Sequence, residues 1–296
     1  MGVLPLLPSR IFVTVIFRLL SYLPLRWLHA LGGVSGWLTW LFSPRYRRHM
    51  RENMVLALGD AGERRYRAAA IVQAGCQSLE LPKIWLRPQA EVFARVVRVS
   101  GWEVVEAALQ QGRGIVYLTP HLGCFEITAQ YMSSHMPITV LYRPPKQAWM
   151  QSLLEAGRAR GQMHIAAADL GGVRTLLKVL KKGGAVGLLP DQAPKVGEGR
   201  WASFFGKPAY TMTLAARLTE NGAAVIMVWA ERLPGGAGYH FHLQAPTQAL
   251  SGDTLARTQQ INHEIEALVR QCPAQYLWGY NRYKRPRGAE APPETC

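Results

Sequence analysis

Residues 114–135 read GIVYLTPHLGCFEITAQYMSSH, and this stretch decides the class of the fold. A short apolar run is bounded by Gly114 and Pro120, which marks a buried strand. A helix is expected to begin near Gly123, so His121 falls in the turn between strand and helix. The same alternation recurs on both sides. RVSG at 98–101 reads as a strand end, and GWEVVEAALQQ (101–111) as an amphipathic helix closed by Gly112. Residues 138–142, 163–168 and 185–192 read as further strands, with helices over 146–160 and 171–184. A Gly- and Lys-rich loop is expected at 194–207, a helix over 210–222, a strand pair at 223–232 and 239–246, and a last helix at 254–271. Upstream, residues 52–92 read as helix. Repeated strand–helix units predict an α/β fold: a central mixed, mostly parallel sheet flanked by helices.

In such sheets ligands bind beyond the carboxyl ends of the strands. His121 sits there, and Glu126 follows five residues later in the first helical turn. A carboxylate folded back onto one ring nitrogen would fix the tautomer and leave the other nitrogen free to take a proton from an alcohol. Asp191 and Gln192 end a second strand, AVGLLP, and reach the same edge if the two strands run parallel; an ordinary Asp turn accounts for them equally well. In RWASFFGKPAYT (200–211), Phe204, Phe205 and Gly206 stand beside Arg200 and Lys207, a mixture that suits an acyl chain next to phosphate, or a loop packed on the core. Arg158 is a phosphate ligand or a solvated helix charge.

Thirty-four Lys and Arg oppose 19 Asp and Glu, for a net charge of +15 over 296 residues. That field suits an anionic membrane face, an acidic protein or nucleic acid; no nucleic-acid-binding motif accompanies it, which argues against the last. Charged residues are only 18%, below the roughly 25% of soluble domains. The four cysteines are scattered, with no disulfide framework or zinc pattern. Residues 1–42 are strongly apolar, interrupted by Arg10, Arg18 and Arg26 at intervals of eight and by His29. Two helices near 9–23 and 25–42 would carry these arginines along one edge, as an interfacial or oblique hairpin does. A single span with Arg10 and Arg26 snorkelling from its ends is the alternative, and Arg18 in its middle would then be costly. The cluster Arg45, Arg47, Arg48 and Arg51 beside this segment favours anionic headgroups on the cytoplasmic side. The expected organisation is an N-terminal membrane-associating module at 1–42, an α/β domain at 43–288 and a flexible tail at 289–296.

Further stretches carry a resemblance: LYRPPKQ (141–147), GR at 157–158, LLPDQAP (188–194), FFGKPAYTMT (204–213) and PAQYLWGYNRYKRPRG (273–288). With His121 and Glu126 in the His-x4-Asp/Glu hallmark, the chain resembles the lipid A biosynthesis late acyltransferases, the lauroyl/myristoyl acyltransferase group. The likeness implies a glycerolphosphate-acyltransferase-like fold and an inner-membrane enzyme with its catalytic domain on the cytoplasmic face. It implies transfer of a fatty acyl group from an acyl carrier protein thioester to a hydroxyl of a phosphorylated lipid A precursor, in lipopolysaccharide biosynthesis. His121 would be the general base and Glu126 its partner; Arg158, Asp191 and Gln192 would serve oxyanion or phosphate binding; Phe204, Phe205 and Gly206 would line the lipid site. No metal and no cofactor are implied, the acyl carrier protein being a co-substrate. Two departures stand out: Glu126 occupies a position that is Asp in many members, and Gly279–Tyr283 lacks the His that commonly precedes the arginine. A glycolipid or aminolipid acceptor, or a basic membrane protein of the same fold without activity, are the alternative readings.

Overall fold

The computed structural model describes residues 7–142 and 157–294. The strand expected within 114–120 forms at Ile115–Leu118, and the other expected strands form too. A seven-stranded sheet has the order β1-β9-β8-β2-β5-β3-β4. Its strands are β1 (Val96–Ser100), β2 (Ile115–Leu118), β3 (Ile138–Tyr142), β4 (Met163–Ala167), β5 (Ala185–Leu188), β8 (Ala224–Arg232) and β9 (Tyr239–Gln244). Every neighbouring pair is parallel except β8 with β9, which form the antiparallel pair about a Gly-rich turn. β2 and β5 are buried along their whole length, which is why they read as continuous apolar runs.

One expectation fails in the region 194–222. A two-stranded antiparallel hairpin, β6 (Gly199–Phe204) and β7 (Lys207–Met212), replaces the loop. The helix that follows shrinks to Leu214–Thr219. Phe205 and Gly206 form the two-residue turn with φ of 50° and 74°, the left-handed values that tight hairpins need. Glycine at the second position was the sequence signal. The expected helix over 146–160 lies mostly outside the described residues.

At the N-terminus α1 (Leu7–Tyr22) and α2 (Leu25–Phe42) form as two helices, and α3 (Pro44–Leu79) follows. α3 breaks at Gly59, whose φ/ψ of 70°/171° are non-helical. α2 lies against α3 along a seam of small residues. A Cβ added to Gly75 would meet the Gly32 carbonyl oxygen at 1.8 Å, so the two backbones touch where a side chain has no room. The other face of α2 exposes Trp27, Leu31, Val34, Leu38 and Leu41, spaced at helical intervals. No helix among the described residues is long and apolar enough to cross a membrane.

Behind the sheet, α3 is tied to β8 by a buried ion pair. Arg232 donates to Glu80 through Nε at 2.9 Å and Nη2 at 2.5 Å, and the Tyr239 hydroxyl donates to the same carboxylate at 3.1 Å. Burial pushes the Glu80 carboxyl up, but Arg232 and His29 outweigh it and hold it at about 2. Arg232 also donates to the Gly123 carbonyl at 2.8 Å, which couples this pair to the turn that carries His121.

Candidate active site

β2 and β5 are parallel and in register, with Leu118 opposite Leu188. Each chain leaves the sheet at the same edge, and three residues on His121 and Asp191 meet. The His121 Nδ1 lies 2.7 Å from Asp191 Oδ1, and the His121 backbone N–H donates to Asp191 Oδ2 at 2.9 Å. The carboxylate on the imidazole is therefore Asp191. Glu126, expected in that role, turns elsewhere. Arg158 donates to it from Nε at 3.0 Å and from Nη2, and the Trp85 indole donates at 3.0 Å. The physical reason is its partners: from the first turn of the helix Phe125–Ser133, the buried Glu126 carboxylate is satisfied by the Arg158 guanidinium and the Trp85 indole.

Burial raises the Asp191 carboxyl, but the His121 imidazole, its hydrogen bonds and the Arg282 charge together hold it below the usual carboxylate range. An ionised, buried carboxylate repels phosphate and oxyanions, so the expectation that Asp191 binds such groups is corrected. Gln192 does reach the site: its Nε2 lies 3.1 Å from His121 Nε2. With Nδ1–H donated to Asp191, Nε2 is the bare acceptor of the ring. Burial disfavours the Arg158 charge, but Glu126 more than compensates and raises its affinity for the proton.

The turn that presents His121 is fixed on several sides. Leu277 N–H donates to the His121 carbonyl at 3.0 Å, Gly123 N–H to Gln275 at 3.1 Å and Cys124 N–H to Ala230 at 2.8 Å. Gly123 has φ of 60°, and a Cβ there would sit 2.1 Å from the Ala230 oxygen. The C-terminal segment is thus a brace. Its Tyr280 hydroxyl accepts from Ala193 N–H at 3.0 Å, and buried Arg282 donates to Tyr210 and Thr211 at 3.0 and 2.6 Å.

His121, Gln192, Glu126 and Arg158 face one cavity of about 280 Å³. It shares Leu141, Ala168 and Met212 with a cavity of about 540 Å³, whose wall includes Leu170, Val173, Leu177 and Leu214. Phe204 and Phe205 line neither. Both are buried in the core, where Phe204 packs edge-on to Phe205 and near Tyr276, while Gly206 is an exposed turn residue. Their expected lipid contact is corrected: hairpin formation turns the two rings inward. Trp85 and the brace residues Tyr280 and Arg282 are site-supporting groups that the sequence did not single out for these roles. The unusual YLWGYNRY run was the available signal.

A sequence model of the bacterial lipid A biosynthesis acyltransferases matches residues 6–285. The chain belongs to this family. It is an acyltransferase. The acyltransferase is 26% identical over 282 residues to the lipid A biosynthesis lauroyltransferase of Escherichia coli (strain K12), covering 91% of this chain and 90% of that protein. It is 28% identical over 221 residues to the lipid A biosynthesis palmitoleoyltransferase of the same strain, covering 72% and 70%. A lipid A biosynthesis acyltransferase of Haemophilus influenzae (strain ATCC 51907 / DSM 11121 / KW20 / Rd) is 26% identical over 181 residues, 60% of the acyltransferase and 56% of that relative.

Proposed function

We propose that the protein transfers a fatty acyl group from an acyl carrier protein thioester to a hydroxyl of a phosphorylated lipid A precursor, with His121 as general base. The observation that carries the reading is the His121–Asp191 pair, 2.7 Å long, in a ring that lines the cavity with the Gln192 amide at its Nε2. The acceptor hydroxyl replaces the Gln192 amide at Nε2. As its oxygen attacks the thioester carbonyl, its proton passes to Nε2. Asp191 stabilises the imidazolium through Nδ1–H. The tetrahedral oxyanion collapses, the carbon–sulfur bond breaks, and the proton on Nε2 goes to the departing carrier thiolate. Gln192, displaced from Nε2, and the remaining Arg158 N–H groups are donors for the oxyanion or a substrate phosphate. Glu126 holds Arg158 in place and is a positioning residue in this scheme.

The apolar wall of the 540 Å³ cavity suits an acyl chain, and its lining also carries Lys195 and Arg217. The exposed apolar face of α2, with exposed Val15 and Leu19 on α1, suits an interfacial seat on a bilayer. Arg45, Arg48 and Arg51 are exposed beside it and suit anionic lipid. The test is acyl transfer in vitro from acyl carrier protein thioesters to a lipid A precursor, together with mass spectrometry of lipid A from a deletion strain. The reading requires loss of one acyl chain in that strain; unchanged lipid A acylation contradicts it.

A further inference from the structure

On the part of the sheet formed by β1, β8 and β9, three side chains of two metal-ligand types converge. Glu231 on β8 stands opposite His240 on β9, and His242 follows two residues on, so all three share one face. His242 Nε2 is 3.1 Å and His240 Nδ1 3.9 Å from the same Glu231 oxygen. The three donor atoms lie within 4.8 Å of one another. A tetrahedral zinc with bonds of about 2.0–2.2 Å separates its ligand atoms by roughly 3.3 Å, which small rotamer adjustments reach from here.

Both rings are held by neighbours. Ser100 Oγ lies 2.8 Å from His240 Nε2, so a proton on Nε2 leaves the Nδ1 lone pair aimed at Glu231. The Trp229 ring stacks on His242 with 2° between planes and 4.3 Å between centroids. Burial, foremost, disfavours the charged form of each imidazole, and the exposed Arg98 side chain on β1 adds to this. Neutral imidazole is the form that binds metal.

We propose that Glu231, His240 and His242 form a divalent-metal site, of zinc type, that clips β8 to β9 and is separate from the acyl-transfer chemistry. A His-x-His pair on one strand with a carboxylate across the ladder is a two-imidazole, one-carboxylate set with room for water at the remaining position. The ion replaces the proton between His242 and Glu231. Arg98 and the overall positive charge oppose the ion, so the affinity is expected to be modest.

The probe is Zn²⁺ alone, added to the full-length protein after treatment with a chelator. Equilibrium dialysis is expected to retain one equivalent per chain, and Zn²⁺ is expected to raise the thermal midpoint. The variants His242→Ala and Glu231→Gln, each checked for folding by circular dichroism, are expected to lose at least tenfold in affinity and the thermal shift. Co²⁺ at the same site is expected to give a d–d spectrum without a thiolate charge-transfer band. No retained zinc, equal retention by folded His242→Ala, or a thiolate band that assigns the ion to a cysteine would each overturn the proposal.

Discussion

One carboxylate serves His121 twice: Asp191 takes the imidazole Nδ1 on one oxygen, at 2.7 Å, and the His121 backbone N–H on the other, at 2.9 Å. Ring and backbone are fixed by a single side chain, which lies three residues past the end of the neighbouring parallel strand β5. The arrangement predicts which acid controls the base. Asp191→Asn removes the carboxylate that orients the ring and stabilises the imidazolium formed during proton transfer, so kcat should fall steeply. Glu126→Gln should lose less, since Glu126 touches Arg158 and Trp85 instead. The check is kcat of both variants, each shown to be folded.

Much of this was legible in the sequence. The strand–helix alternation, the turn position of His121 and the arrival of Asp191 at the same edge follow from local pattern plus the parallel register. The choice between Glu126 and Asp191 as partner was not. It depends on Arg158, which lies 32 residues further along the chain, and on Trp85, which lies 41 residues earlier. The segment 199–212 misled because Gly and Lys up to 207 read as loop and 210–212 read as the start of the following helix. Its strands are stabilised by contacts with the helix Thr254–Gln271, such as Asn262 and Gln259 donating to the Ser203 carbonyl at 2.8 and 3.0 Å. Such long-range partners leave no periodic trace.

Glu80 sets a second pH dependence. Its folded carboxyl is held at about 2, below the ordinary 4.5, so it contributes stability at neutral pH that is lost as pH falls from about 4.5 toward 2. Glu80→Gln leaves Arg232 buried without its charge partner, and should cost about 3–5 kcal/mol at pH 7. The variant should also show a shallower acid decline. Urea unfolding across pH 3–7 measures both.

Gly123 is required by conformation and by space. Gly123→Ala puts a Cβ into the Ala230 carbonyl at a backbone angle that disfavours side chains, and should cost about 1–3 kcal/mol from the backbone alone. Because the same turn carries His121, kcat should fall further than the loss of folded protein explains. Activity normalised to the folded fraction, with a thermal melt alongside, tests this.

The α2 face predicts a membrane measurement. Replacing exposed Trp27, Leu31, Val34 and Leu38 with Ser should lower partitioning onto phosphatidylglycerol-containing vesicles while leaving the melt unchanged, because these side chains support no core. Replacing Arg45, Arg48 and Arg51 with Gln should weaken binding by roughly 1 kcal/mol per residue on anionic vesicles and leave neutral ones unaffected. Sedimentation with vesicles of the two compositions reads both effects.

The central claim is that His121 and Asp191 act as one unit on the acceptor hydroxyl. The direct measurement is kcat for acyl transfer by His121→Ala, by Asp191→Asn and by the double variant, each shown to be folded. The predicted result is a fall of about 10³-fold or more for each single variant, with the double variant no slower than His121→Ala, since groups that act together lose their effect together. Wild-type turnover by Asp191→Asn, or losses that multiply in the double variant, would contradict it.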